Sequence, residues 1–346
     1  MRMRSLVKWL VLALVLVGIW FGWQWVNEAY WVVPVGASKT IAIPNGADVA
    51  TVAGLLESQG FIPSALRYRI YGRFDSAVSR PKAGDYQIRP GSNYREIARI
   101  LALGPARSEV QITIIEGETI DALVDQLEDD QQVDPADAVR VIGRSLDRVP
   151  FDPALRDTYP FLANLPRDRS LEGYLFPNTY RVWADQLPEG LIAKQLDEFS
   201  KRFSAAKPGP ESAPLKNLDE VLVLASIVQD EVRSVDDMRV VAGLFLNRLR
   251  DGMALQSDAT LNYLTGSGRS RATSRDLSID SPWNTYKYRG LPPSPIGNPG
   301  EAAIKAVLDP EVTEYRYFLT DEAGKTYYAR TLEEHIANRQ KAGYTQ

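Results

Sequence analysis

Apolar and polar positions divide this chain sharply at its start. Leu6 to Val26 is apolar apart from Lys8 and Gln24. A helix over this block rises about 30 Å, the thickness of a bilayer core. Arg2, Arg4 and Lys8 lie at its leading end and Glu28 follows it. The positive-inside rule then predicts a cytoplasmic N-terminus, with the rest of the chain across the membrane. Trp20, Trp23, Trp25, Tyr30 and Trp31 gather toward the outer end, where aromatic rings favour the interface. The alternative is a cleaved signal peptide. The apolar run is long for one, and Val35-Gly36-Ala37 lies far downstream for a cleavage site. The expectation is a tail at 1–5, a retained transmembrane helix at 6–26 and a linker at 27–37.

Residues 38–104 read as a small α+β module. Thr40 to Pro44 alternates as a strand, and Asn45-Gly46 is a turn. Asp48 to Gln59 has helical spacing, with Val49, Val52, Leu55 and Leu56 on one face and Gly60 beyond the end. Leu66 to Arg73 reads as a second helix, and Lys82 to Tyr86 as a turn into a strand. Ser92 is expected to cap a last helix with Ile97, Ile100 and Leu101 inward and Gly104 after it. From 105 to 346 the pattern is read as alternating strands and helices in a larger mixed α/β domain, beginning with a strand at Val110–Ile115 and a helix at Ile120–Leu127. The expected fold class is therefore α+β. The acidic run Glu128-Asp129-Asp130 reads as a solvated helix end, and Ala205–Pro214 as a surface loop.

Composition removes several chemistries. The chain has 346 residues, no cysteine, a single histidine (His335) and a formal net charge of -4. Disulfides, thiolate sites and thiol nucleophiles are excluded, and so is a multi-histidine zinc site. No metal or cofactor is expected. The charge balance gives no general reason to expect a nucleic-acid partner.

One helix draws attention. Asn217 with Glu220 is a variant of the capping box. Val221–Val228 is almost wholly apolar, so the helix must be buried on most sides. Its stripe Leu224, Ile227, Val228, Glu231 ends on a carboxylate. A buried carboxyl without a partner raises its pKa, and a carboxylic acid held near neutrality suits a general acid for glycosidic cleavage. The bland alternative is an ion pair, with Arg248 of the next helix as the candidate. That helix starts at Ser234 with Asp237 three residues on, ends at Arg250 and has Gly252 beyond it. Next, Leu255–Tyr263 mixes polar and apolar residues as a cleft wall does. Ser281–Tyr286 and Gly290–Gly300 are loops rich in proline, asparagine and aromatics, which either bind sugar or simply form rigid turns.

These segments together resemble the YceG-like endolytic murein transglycosylases. The matching blocks are Leu224–Glu231, Val241–Leu249, Met253–Thr260, Asn284-Thr285-Tyr286, Gly290–Pro293 and Glu334-His335, with Glu172–Tyr180 and Ile114–Gly117 upstream. Residues 38–104 resemble the LysM-like subdomain that precedes the catalytic region of such enzymes; a packing module without ligand is the other reading. Many relatives read glutamate-lysine-glutamate where this chain has Gln229-Asp230-Glu231, and the second glutamate is the one retained. A proline common after the aspartate of the third block is Ala259 here, and a histidine common in the C-terminal hairpin is missing from Gly324–Tyr328.

The resemblance implies a lytic cut between N-acetylmuramic acid and N-acetylglucosamine that leaves 1,6-anhydro ends, with Glu231 as acid and then base. It implies Asn247, Gln256, Asp258, Thr260, Asn284, Tyr286 and Tyr174 as substrate contacts. It further implies an inner-membrane enzyme with a periplasmic catalytic domain, glycan strands as substrate, and a role in ending strand growth beside peptidoglycan synthases. Two alternatives stay open: a hydrolytic muramidase using Glu231 with Asp258, and a non-catalytic peptidoglycan-binding scaffold.

Overall fold

The computed structural model describes residues 2–31, 36–78, 81–105, 107–268, 272–321 and 323–344, with side chains from residue 8 onward. Part of the expected linker, including Val35, lies outside the described residues. The chain divides into two compact units, Met1–Ser108 and Glu109–Gln346.

The first unit begins with helix α1 (Arg2–Tyr30), whose Lys8–Tyr30 stretch has mean hydropathy 1.8 and is long and apolar enough to cross a membrane. Trp9, Leu10, Leu14 and Trp20 project outward uncovered. The last turn is different. Glu28 and Ala29 are buried, because Glu28 accepts a 2.6 Å hydrogen bond from Tyr94 and pairs with Arg67 at 2.8 Å. Behind α1 follow β1 (Lys39–Ile43), α2 (Val49–Ser58), α3 (Ala65–Tyr71), β2 (Gly84–Ile88) and α4 (Tyr94–Leu103). Strands β1 and β2 pair antiparallel, and alternation sends Ile41, Ile43, Tyr86 and Ile88 into one core with Val52, Leu56 and Ile97. The cap of α4 is Asn93, one residue beyond the expected Ser92: its Oδ1 takes the Glu96 N–H at 2.9 Å, while Ser92 is buried.

The second unit is mainly helical, which corrects the expected strand–helix alternation. It runs β3 (Glu109–Thr113), α5 (Ile120–Gln131), α6 (Pro135–Ile142), α7 (Ala154–Thr158), β4 (Thr179–Trp183), α8 (Glu189–Phe203), α9 (Leu218–Glu231), α10 (Val235–Arg250), α11 (Asp258–Thr265), α12 (Ser274–Leu277), α13 (Glu301–Leu308), β5 (Tyr317–Thr320), β6 (Thr326–Ala329) and α14 (Leu332–Lys341). Its described strands form two separate antiparallel pairs, β3–β4 and β5–β6, with no parallel sheet. The helices expected over Val221–Glu231 and from Ser234 to Arg250 are present as α9 and α10, and with α13 they pack on one another at the centre of a large core. Packing there is close enough to dictate glycine. A Cβ on Gly243 in α10 would run into the Glu311 carbonyl.

Candidate active site

The residue that closes α9 is placed by the helix itself. Asn217 caps it by accepting from Glu220 N at 2.9 Å, and the Glu220 carboxylate bonds back to Lys216 N at 2.7 Å. Val221 through Val228 are all buried. Ser226, the polar residue among them, donates to Val223 O at 2.9 Å and accepts from Ile296 N at 3.0 Å, which seats the proline-rich loop on the helix. The helix stops at Glu231 because Val232 turns extended. Gln229 accepts from Gly300 N at 3.0 Å, so this position needs an acceptor oxygen and a neutral amide supplies one.

Glu231 faces a cleft of about 530 Å³ with Arg248, Gln256, Asp258, Tyr286 and Tyr317. Burial pushes its carboxyl from the ordinary 4.5 up to about 7, and the negative charges of Asp258 and Asp230 add to the rise. The helix C-terminus acts in the same direction, since its partial negative charge disfavours a carboxylate. Two contacts oppose the rise: a hydrogen bond from Ser257 Oγ to Glu231 Oε1 at 2.5 Å, and the charge of Arg248. Among the described residues only Ser257 bonds this carboxyl.

Ser257 is held by its own supports. Gln256, one residue earlier, adopts the left-handed region at φ 51°, a conformation that costs a non-glycine residue about 1–2 kcal/mol. Backbone bonds from Gln256 N to Thr285 O at 3.1 Å and from Ser257 N to Thr285 Oγ1 at 3.0 Å fix that turn. Thr260 Oγ1 donates to Ser257 O at 2.8 Å from below.

Arg248 makes no ion pair with Glu231. Its guanidinium donates to Arg316 O at 2.6 Å, Leu255 O at 2.6 Å and Ala254 O at 3.2 Å, and it lies over the Tyr317 ring. It clamps the two backbone segments that wall the cleft.

The sequence-expected site residues separate into two groups. Gln256, Asp258 and Tyr286 line the cleft with Glu231, and Tyr286 Oη donates to Asp258 Oδ1 at 2.6 Å. The others do not line it. Asn247 is buried with its amide on Thr313 O and Tyr315 O, at 2.7 and 3.0 Å. Asn284 is buried too: its amide holds Leu277 O and Ile279 O, and its Oδ1 accepts from Tyr286 N, so it shapes the loop that presents Tyr286. Thr260 lies beneath Ser257. Tyr174 is buried elsewhere and bonds Asp219 at 3.1 Å.

Sequence reasoning missed Ser257 as the partner of Glu231. It also missed the far wall, built from the β5 residues Tyr317 to Thr320 and from Leu332, His335 and Arg339 of α14. His335 stacks on Tyr317 at 5.4 Å, and burial together with Arg339 and Arg248 holds its pKa below the usual 6.5. The Glu334-His335 pair was the available signal for this wall.

The upstream glycine blocks serve as scaffold. Asn298 Oδ1 accepts from Gly173 N and Leu175 N at 2.9 and 3.0 Å, and its Nδ2 donates to Glu118 O at 2.9 Å. The backbones meet so closely that a Cβ on Gly297 would lie 2.5 Å from Gly117 O. Glu172 is buried in this knot, where burial lifts its carboxyl to about 8 while Ile120 N donates to it at 2.9 Å.

Comparison with known proteins places these features in context. Residues 41–341 match the model of the YceG-like family. An endolytic murein transglycosylase of Bacillus subtilis is 31% identical over 88% of this chain and 85% of its own length. One from Streptococcus pneumoniae D39 is 31% identical over 94% of this chain; the alignment spans 63% of that longer protein. A crystal structure of a YceG-like protein from Listeria monocytogenes superposes with a TM-score of 0.55 at 29% identity, covering 88% of this chain and all of the other.

Proposed function

The chain belongs to the YceG-like family, and from that premise we propose that it is a lytic murein transglycosylase with Glu231 as its acid and base. The observation that carries the reading is a half-buried carboxyl, raised to about 7, on the wall of an open cleft and oriented by the Ser257 hydroxyl. At neutral pH such a group is present in both protonation states in useful amounts. Protonated Glu231 donates its proton to the glycosidic oxygen as the bond from muramic C1 to that oxygen breaks. The carboxylate left behind takes the proton of the muramic C6 hydroxyl, and O6 bonds C1 to close a 1,6-anhydro ring. Ser257, donating to Oε1, stabilises that carboxylate intermediate state and fixes its direction.

One carboxyl therefore performs both transfers, and no second one is required. Asp258 shares the cleft, which is what a hydrolytic muramidase would also need. Its Oδ1 takes the Tyr286 hydroxyl, and in our reading it orders the substrate and raises Glu231. Gln256 and Tyr286 contact sugar from the same wall. Helix α1 anchors the enzyme in the inner membrane, the LysM-like unit meets glycan, and cutting beside the membrane ends nascent strands near their synthases. Mass spectrometry of products released from purified sacculi tests the chemistry. Products one water lighter than hydrolysis products are expected; reducing muramic ends would establish the hydrolase instead.

A further inference from the structure

Helix α3 carries an uncovered face unlike the rest of the small unit. Leu66 and Ile70 lie along it and Phe74 stands in the turn that follows, at the same four-residue spacing; they are 64%, 39% and 74% exposed. Arg69 and Arg73 stand on the same side, and among the described residues neither has an ion-pair partner. The opposite side, Tyr68 and Tyr71, is buried in the core. Large apolar tips interleaved with arginines are the composition of an interfacial helix, in which the tips enter the acyl boundary and the guanidiniums meet phosphates.

The height of this face is set by α1. Trp25 Nε1 donates to Arg67 O at 3.4 Å, and the Trp25 ring lies 5.9 Å from Phe74. Arg67 in turn pairs with Glu28 at 2.8 Å. Trp25 stands two residues, about 3 Å of rise, beyond Trp23, which is still uncovered at the outer end of the apolar run. Phe74 is therefore held beside the aromatic belt, where a spanning helix passes from hydrocarbon to headgroups. Its apolar surface continues the bilayer-facing surface of α1.

We propose that the Leu66–Phe74 face, formed by α3 and the turn after it, docks on the phospholipid interface of the bilayer that α1 enters, so that the small unit is seated on the membrane at two points. This rests on the reading of α1 as a membrane span. The docking adds a second membrane contact to the packing of α1 on the small unit, and the two together fix that unit's orientation on the bilayer.

The chain has no cysteine, so single labels are unambiguous. Full-length protein in phosphatidylethanolamine–phosphatidylglycerol vesicles would carry an environment-sensitive fluorophore at Phe74→Cys or Ile70→Cys. Leu14→Cys in the apolar run and Asp129→Cys in the acidic end of α5 serve as the lipid and water references. Nitroxide-bearing lipids are expected to quench positions 74 and 70 nearly as strongly as 14, and far more than 129. The double variant Arg69→Glu with Arg73→Glu is expected to bring position 74 toward the level of 129 while 14 stays quenched. If 14 is quenched and 74 and 70 match 129, the docking proposal is wrong and the anchor stands. If protection at 74 persists in detergent and grows with protein concentration, a second copy covers the face and the proposal is likewise wrong. If 14 itself is not quenched, the anchor reading fails and the docking fails with it.

Discussion

Replacing Ser257 by alanine removes the hydrogen bond that, alone among the described residues, stabilises the charged form of Glu231. The bond is short, 2.5 Å, and Ser257 is buried. Hydrogen bonds to charged groups contribute about 1.5–3 kcal/mol, and a pKa unit corresponds to about 1.4 kcal/mol. Loss of the bond should raise the Glu231 pKa by about one unit, the lower end applying because water from the cleft can enter the vacated space. The sign follows from the role. Catalysis begins with protonated Glu231, so wild-type activity should decline as pH rises through about 7. In Ser257→Ala that decline should move to higher pH. The maximal rate should fall about tenfold, because the carboxylate formed after the first proton transfer is less stable and less well aimed. Turnover of purified sacculi, followed by released muropeptides across the neutral range, measures both quantities. An alkaline limb that stays in place, or moves down, would refute the assignment of Ser257 and Glu231 as a functional pair.

Asp258→Asn should act oppositely on the same limb. Its negative charge raises Glu231, so removing it should shift the decline to lower pH while the products keep their anhydro ends; loss of all activity would favour the hydrolytic reading. Glu231→Gln should stabilise the fold above neutral pH. A carboxyl raised from 4.5 to about 7 supplies stability that is whole below 4.5 and is lost as pH rises through 7, in total roughly 2–3 kcal/mol after allowing for the open cleft. Glutamine does not titrate and keeps it, so urea unfolding at mildly alkaline pH should show the variant ahead, with parity at acid pH. Asn298→Ala should cost about 3 kcal/mol, because it leaves the buried Gly173 and Leu175 N–H groups without their acceptor. A change under about 1 kcal/mol in urea unfolding would show that the glycine blocks are not held together there.

The legible part of this molecule is local. Helical spacing along Leu224, Ile227, Val228 and Glu231 identified the carboxylate, and Asn217, Ser234 and Gly252 marked helix ends where caps and a left-handed glycine are found. What stayed hidden depends on which way a side chain points after the chain has turned. Ser257 reaches Glu231 only because Gln256 is left-handed, and no pattern in a mixed segment announces that. Asn247 and Asn284 have the composition of sugar ligands, yet their amides face backbone carbonyls. The far wall comes from β5 and α14, long after α9 in sequence, and only the core brings them together. The strand–helix alternation expected across the second unit was not found: among the described residues it is mainly helical, and its four short strands pair only as two antiparallel ribbons.

The central claim is that Glu231 carries both proton transfers. The most direct measurement digests purified sacculi with wild type and Glu231→Gln in parallel and resolves the products by mass. Glutamine preserves the shape and the acceptor for Ser257 but cannot donate and recover a proton. Wild type should release products with 1,6-anhydro ends, and a folded Glu231→Gln should release none above the blank. Equal release of anhydro products by the two proteins would contradict the account.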